Sequence, residues 1–507
     1  MIEGQTNIFE MIYPNFKIDK PIRLIELFAG YGSQALALKY LGVEFEHWKI
    51  CEWAIKSIQA YKDIHFDNKI LIPTKVYSKE HIKEILYNLG ISSNYNEPMT
   101  KEQINRLSTE QLKNIYNNIL LTNNLVNIQK VKGEDLEIED TDKYCYIMTY
   151  SFPCQDLSLA GKGKGMSNTS TRSGMLWEVE RILSECKELE TMPQILLMEN
   201  VSQVHGVDNV EDFNKWQLRL EELGYKNYWQ DLIATDYGIP QTRNRTFMVS
   251  ILGDYNYTFP KPIPLKLKLK DMLEDNVDEK YYLSEKMKDY ILDNNNTQKG
   301  TKWEGRADND TLNSNIAHAL SVRGAGGSQR AGVSNFIIDD YDNEIKVKDI
   351  KLKRGYKCQV KKEKEDVKGI DVIGNYSKSN FTQTSIVNKN GVAPTITENH
   401  GQVTAIVDKP QVLGGYGKIG STGQYHQQNR VYDDNVAISV TTAFNPYYKD
   451  NLRIRKLTPK ECFRLMGVKD EDYEKCAKNQ SDSSLYHLAG DSIVVNVLMA
   501  IFKEMIK

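Results

Sequence analysis

The segment that most narrows the fold of this chain lies near its start. Ile22-Arg23-Leu24-Ile25-Glu26-Leu27-Phe28 is a short apolar strand. It runs into Ala29-Gly30-Tyr31-Gly32-Ser33 and then into the helix-like Gln34-Ala35-Leu36-Ala37-Leu38-Lys39-Tyr40-Leu41. Strand, glycine turn and helix in that order open a nucleotide-binding α/β unit, where glycines let backbone N–H groups approach a ligand. About twenty residues on comes Cys51-Glu52-Trp53, and an acidic residue at the next strand end can bind a ribose diol. Trp53 beside it is able to stack on a purine. An ordinary strand terminus with a core tryptophan fits the same residues.

Three further stretches carry chemistry. Ser151-Phe152-Pro153-Cys154-Gln155 follows the apolar-aromatic run Tyr144 to Tyr150. Cys154 therefore sits where a strand ends and a loop begins, with the proline ring fixing the backbone just before it. Such a position presents a nucleophile, although a single cysteine is equally well a small buried hydrophobe. Pro193-Gln194-Ile195-Leu196-Leu197-Met198-Glu199-Asn200-Val201 is an apolar strand that delivers Glu199 at its carboxyl end, to face a ligand or to cap the next helix. In Gln241-Thr242-Arg243-Asn244-Arg245, alternation puts Gln241, Arg243 and Arg245 on one face of an extended segment, either solvated or turned to a site.

In this order the motifs closely resemble the cytosine-5 DNA methyltransferases of bacterial or phage type. That family's signatures are a Phe-x-Gly-x-Gly cofactor loop, a Pro-Cys-Gln nucleophile, Glu-Asn-Val and Gln-x-Arg-x-Arg. Arg455 to Gly467 and Ala489-Gly490-Asp491-Ser492-Ile493 to Val497 look like its ninth and tenth blocks. The likeness spans roughly 20–250 and 450–507. It departs at Ser33, where glycine is more usual, and at Asp491, where an acceptor-only carboxylate replaces asparagine.

The resemblance implies catalysis by Cys154, Glu199, Arg243 and Arg245. It implies S-adenosylmethionine as cofactor, held by Phe28, Ala29, Gly30, Gly32, Glu52, Trp53, Asp135, Leu136, Pro153, Leu176, Asp491 and Ser492. Asp135, in Gly133-Glu134-Asp135-Leu136, takes the adenine amino group by resemblance alone.

The chemistry explains these residue types. Carbon 5 of cytosine is a poor nucleophile, so a thiolate, here Cys154, first adds to carbon 6. Glu199, protonated, donates to N3 and accepts from the N4 amino group. Arg245 holds O2, with Arg243 nearby favouring the thiolate. A stacked base cannot meet a nucleophile from above its ring, so the target flips out of double-stranded DNA. The glycine- and lysine-rich stretch Gly161 to Gly174 suits a loop closing over it. No metal is required.

Composition agrees with an intracellular enzyme. Seven scattered cysteines suit a reducing compartment rather than a disulfide framework. No apolar run reads as a membrane span, and Met-Ile-Glu-Gly-Gln-Thr is no signal peptide. The expected location is cytoplasmic and the expected state a monomer; a cognate restriction endonuclease, where one exists, would be a separate chain. A net charge of −3 sits oddly with phosphate neutralisation, but Lys346 to Lys362 concentrates basic residues, as a solvated face or a DNA contact.

The fold expected is α/β: a doubly wound, mainly parallel, Rossmann-like sheet of class I methyltransferase type, with a smaller β-rich target recognition domain. The catalytic domain takes 1–259, with a helical insertion over about 65–130 whose segments Lys79–Leu86 and Thr109–Tyr116 read as surface helices. The recognition domain takes 260–452, where Val372-Ile373-Gly374-Asn375-Tyr376 and Val412-Leu413-Gly414-Gly415-Tyr416 mark a repeat, each followed by a second β segment. Residues 453–507 return to complete the catalytic domain. Two other readings use the same fold. One is an RNA cytosine-5 methyltransferase, against which the long recognition region argues. The other is a catalytically silent DNA-binding protein, against which the intact Cys154, Glu199 and Arg245 set argues.

Overall fold

The computed structural model describes residues 13–66, 77–153, 173–207, 209–282 and 457–506, and the strand backbones at 336–338, 372–375, 385–388, 412–415 and 430–432. Cys154, the 161–172 stretch, the 346–362 basic run and the second halves of the repeats lie outside the described residues. The chain divides into two compact units, 1–238 with 244–264 and 466–507, and 239–243 with 265–465. The divisions fall a few residues from 260 and about a dozen beyond 452.

The first unit is built on six strands: β1 (Ile22–Leu27), β2 (Phe45–Cys51), β3 (Cys145–Tyr150), β4 (Ile195–Val201), β5 (Tyr225–Ile233) and β6 (Asn244–Leu252). They lie in the order β2-β1-β3-β4-β6-β5. The first four are parallel, and β6 runs antiparallel to both β4 and β5. β3 is buried at every residue and β4 at all but its last, the pattern of strands covered on both faces. The direction of winding switches between β1 and β3, and ligands of open α/β sheets bind outside the strand ends at such a point.

Helix α1 (Ser33–Tyr40) follows β1, and α2 (Ile55–His65) follows β2. The expected insertion forms α3 (Lys79–Leu89), α4 (Lys101–Asn105) and α5 (Thr109–Leu121). Each start is capped. Ser78 accepts the His81 N–H, and Thr100 with Gln103 and Ser108 with Gln111 form reciprocal capping boxes, together contributing a few kcal/mol at about 1 kcal/mol per cap. These are more than surface helices. Ile82, Leu86, Met99, Ile104, Leu112, Ile115 and Ile119 bury a common core against Ile58 of α2, so one apolar face of each helix turns inward. The segment then rejoins the sheet, where the Leu125 N–H donates to the Ile50 carbonyl at the end of β2.

Helices α6 (Leu176–Glu188) and α7 (Val210–Glu222) lie on one face of the sheet. Trp216, fully buried, donates its indole N–H to the Tyr150 hydroxyl at 3.1 Å. The C-terminal part adds α8 (Pro459–Leu465) in the second unit, then α9 (Asp470–Ala477), α10 (Asp482–Asp491) and α11 (Val495–Met505) in the first. Residues 466–507 fold back on the start of the chain. Asp472 accepts from Lys39 Nζ at 2.6 Å and from the Tyr40 hydroxyl at 2.8 Å, and the Ile18 N–H donates to Met505 at 2.7 Å. The stretch Asp482–Met505 is long and apolar enough to span a membrane, but it is mostly buried and breaks at Ser492–Val494 between α10 and α11. It is a core element of this unit.

In the second unit β7 (Phe336–Ile338), β8 (Val372–Asn375) and β9 (Ser385–Asn388) form a sheet in the order β7-β9-β8, and β10 (Val412–Gly415) pairs with β11 (Arg430–Tyr432). The two repeat copies named above are β8 and β10. Both slip register at the same place, between Val372 and Gly374 and between Val412 and Gly414. A bulge beside a glycine is a repeated local solution to a repeated local sequence.

Candidate active site at the carboxyl edge of the sheet

Strand register assembles the site. Leu27 of β1 pairs with Cys51 of β2 on one side and with Tyr150 of β3 on the other, while Tyr150 pairs with Met198 of β4. The residues that follow, Phe28, Glu52 and Ser151, therefore leave the sheet level with one another and with Glu199, which β4 carries onward against β6. Because β6 runs antiparallel, its first residues lie at this same edge: Val201 pairs with Arg245 and Glu199 with Phe247. Opposite residues in a ladder share a face, so Glu199 and Arg245 are diagonal neighbours on one face, within reach of a long side chain. Arg245 Nε lies 3.2 Å from Glu199 Oε1. Glu199 is 7% exposed.

Asn200, on the opposite face, fastens the next strand. Its amide Nδ2 donates to the Phe152 carbonyl at 3.0 Å, while Oδ1 accepts the Val201 N–H at 2.8 Å. Phe152 is buried, so the chain just before Pro153 is tied to the strand carrying Glu199. The sequence motif contained Asn200, but only the structure gives it this task.

At the switch point, the turn after β1 holds three residues with positive φ: Phe28 at 59°, Gly30 at 55° and Gly32 at 83°. Phe28 is a strained exception among them, since a side chain disfavours that region. The Phe28 and Ala29 N–H groups both donate to the Cys51 carbonyl, at 2.8 and 3.3 Å. Glu52 links the turn to the next element, accepting the Gly30 N–H on Oε2 at 3.0 Å and the Ala54 N–H on Oε1 at 2.8 Å. Burial pushes the Glu52 carboxyl up to about 7, and the nearby Asp491 charge adds to the effect against the backbone donors. Trp53 is half-buried against the core of the inserted helices.

Below the turn, Glu26 is fully buried. It accepts the Tyr61 hydroxyl at 2.5 Å and the Ala35 N–H at 3.3 Å, and burial raises it to about 7. His47 Nδ1 lies 2.9 Å from the same Tyr61 hydroxyl, and His65 Nε2 lies 2.9 Å from the Tyr31 carbonyl. Burial holds His65 well below its usual range, leaving a neutral ring that donates to that carbonyl.

Of the remaining expected residues, Asp135 is partly exposed and accepts the Lys132 N–H at 2.8 Å, closing its own turn. Leu136 and Leu176 are buried in the core shared by the sheet, α6 and α7. Asp491 ends α10 with Oδ2 3.0 Å from His487 Nε2, and the Ser492 hydroxyl donates to the Leu488 carbonyl. The alternation expected across Gln241, Arg243 and Arg245 holds only for Arg245, because β6 begins at Asn244. Gln241 and Arg243 precede the strand, belong to the second unit and are buried there; Gln241 Nε2 donates to the Leu465 carbonyl at 2.7 Å. Among the described residues no three His, Cys, Asp or Glu side chains cluster as metal ligands.

The family model for C-5 cytosine-specific DNA methylase matches residues 88–507. The Type II methyltransferase M2.ScrFI of Lactococcus lactis subsp. cremoris is 29% identical over 490 residues, which cover 96% of this chain and 99% of that protein. The orphan methyltransferase M.SssI of Spiroplasma monobiae is 38% identical over 271 residues, 53% of this chain and 69% of that protein.

Proposed function

The chain belongs to the C-5 cytosine-specific DNA methylases, and we propose that it carries out their reaction through Cys154, Glu199 and Arg245, with the cofactor at the switch point between β1 and β3. It is an S-adenosylmethionine-dependent DNA (cytosine-5) methyltransferase. The observation that carries the residue assignment is the register that sets the Glu199–Arg245 pair level with Ser151, three residues before Cys154.

The residues present fit the cofactor. The turn after β1 leaves open space beside Gly30, which has no Cβ, Glu52 offers a carboxylate for two hydroxyls and Trp53 an aromatic face. When bound, S-adenosylmethionine supplies an electrophilic methyl on a sulfonium. Cys154 adds to carbon 6 of the flipped cytosine, making carbon 5 nucleophilic; loss of the carbon 5 proton after methylation expels the thiolate. Glu199 brings a proton to N3 and accepts from N4, and Arg245 both orients Glu199 and holds O2.

The recognition region over 260–452, most of which falls in the second unit, reads the DNA sequence; the matching register shifts of β8 and β10 support a repeated element there. The enzyme works as a monomer in the cytoplasm. The five described cysteines are all free thiols, in keeping with a reducing compartment.

A duplex with 5-fluorocytosine at the target tests the assignment. Wild type is expected to be trapped covalently at Cys154, while Cys154→Ser binds the duplex and forms neither adduct nor product. Trapping at another cysteine would overturn the role of Cys154.

A further inference from the structure

The face of the sheet turned away from Glu199 and Arg245 carries a polar cluster that the chemistry does not use. β6 pairs Thr246 with Asn200 of β4 on one side and with Asp231 of β5 on the other. Directly opposed residues share a face and successive residues alternate, so Asn200, Thr246 and Asp231 form one row across three strands, on the face opposite Glu199 and Arg245. That row lies between the pairing of Glu199 with Phe247 and the pairing of Val201 with Arg245. Asp231 joins the cluster together. Its Oδ1 accepts the Thr246 hydroxyl at 2.5 Å, and its two oxygens lie 3.0 and 3.2 Å from His205 Nε2. His205 ends the single-turn helix Ser202–His205 that follows β4, and its ring packs against Trp229, two residues before Asp231, with centroids 4.8 Å apart. Thr246 is fully buried and the other two are half-buried. Aspartate is disfavoured in strands, and here its carboxylate ties β5 and β6 to the turn leaving β4, behind the two strand ends that carry Glu199 and Arg245.

We infer that His205, through Asp231 and Thr246, is a positioning residue for methyl transfer: the clamp fixes β4 against β6 on one face and so holds Glu199 and Arg245 at the spacing the cytosine ring needs on the other. The inference rests on the reading of Glu199 and Arg245 as the groups that meet the base. Displacing a reacting group by about 1 Å costs on the order of 10²-fold in rate, so a clamp that never touches the base is able to set it. A carboxylate only accepts, so Nε2 bears the proton in either charge state of the ring. A side chain with a donor in the same place therefore preserves the clamp.

Single-turnover methylation by the full chain, with titrations of S-adenosylmethionine and DNA alongside, tests this. His205→Ala is expected to slow the methylation step by about 10- to 10²-fold while both affinities stay within about 2-fold of wild type. His205→Gln, which keeps a donor, recovers most of the rate. Thr246→Val, nearly isosteric but without the hydroxyl, repeats the defect, and Thr246→Ser relieves it. A double-mutant cycle separates positioning from general loosening: on Glu199→Ala, which removes the group being positioned, His205→Ala slows the residual rate by no more than about 2- to 3-fold. A wild-type rate in both His205→Ala and Thr246→Val would overturn the clamp's role, as would equal losses in His205→Ala and His205→Gln, or effects that multiply in full in the double variant. A wild-type rate in Glu199→Ala would instead overturn the reading of Glu199 itself, whatever His205→Ala does.

Discussion

Glu52 makes cofactor affinity depend on pH in the range where cells live. Burial raises its carboxyl to about 7, so near neutrality the free enzyme is divided between the protonated and ionised forms. A ribose diol donates two O–H bonds and is best met by the carboxylate, so binding selects the ionised form and releases a proton. If only that form binds, affinity is reduced by a factor of 1 + 10^(pKa − pH), about 11 at pH 6 and about 1.1 at pH 8, so it rises roughly tenfold over that interval. Each Glu52 oxygen already accepts one backbone N–H, from Gly30 and from Ala54. Glu52→Gln therefore sets an amide N–H against one of those donors, costing about 1–3 kcal/mol, and S-adenosylmethionine affinity drops roughly tenfold or more. It also removes the titrating group, so the residual affinity varies little with pH. Calorimetric titration at pH 6, 7 and 8, repeated in buffers of different ionisation enthalpy, reads both the affinity and the protons released. A flat wild-type profile without proton release would refute the role of Glu52, as would a Glu52→Gln profile as steep as wild type.

Glu199→Gln is expected to slow the single-turnover methylation step by about 10²-fold or more, the usual scale for a positioned acid, with little effect on S-adenosylmethionine binding; a wild-type rate would leave Glu199 as a strand-end ion pair with Arg245 and no more. Glu26 is raised from 4.5 to about 7 in the folded chain, so the native state holds more protons than the unfolded one between those values. Stability then falls as pH rises through that window. The cost is absent below about 4.5 and complete above about 7, reaching about 3 kcal/mol at 1.36 kcal/mol per unit. Urea unfolding at pH 5 and 8 should show this decline in wild type and a shallower one in Glu26→Gln, and an unchanged slope in the variant would contradict it.

Much of the site could be read from the sequence because it is a matter of strand ends. Pro153 and Glu199 each lie at the end of an apolar run of strand length and Glu52 at the end of a mixed one, and a parallel sheet brings such ends to one edge whatever else the chain contains. Arg245 was read from alternation, which fails for Gln241 and Arg243 because alternation says nothing about where a strand begins. The insertion's helices were visible in their apolar spacing, but not their common core: that spacing gives each helix an inward face without saying what the face meets. Nor could His205 be matched to Asp231, or Asn200 to the carbonyl of Phe152. Those contacts join segments distant in sequence through single side chains and leave no periodic trace.

Gly32 carries a constraint on how this chain can change over time. A Cβ at that position would lie about 2.6 Å from Cε2 of the Tyr61 ring and closer still to His65 Nε2. Those two rings sit there because they serve Glu26 and the Tyr31 carbonyl. Position 32 is therefore not free to drift alone; any larger residue must arrive together with smaller ones at 61 and 65, and must still accept a left-handed backbone. One codon and a pair some thirty codons downstream are thus bound into one evolutionary unit, and a lineage that loses His65 loses part of the reason for the glycine it faces.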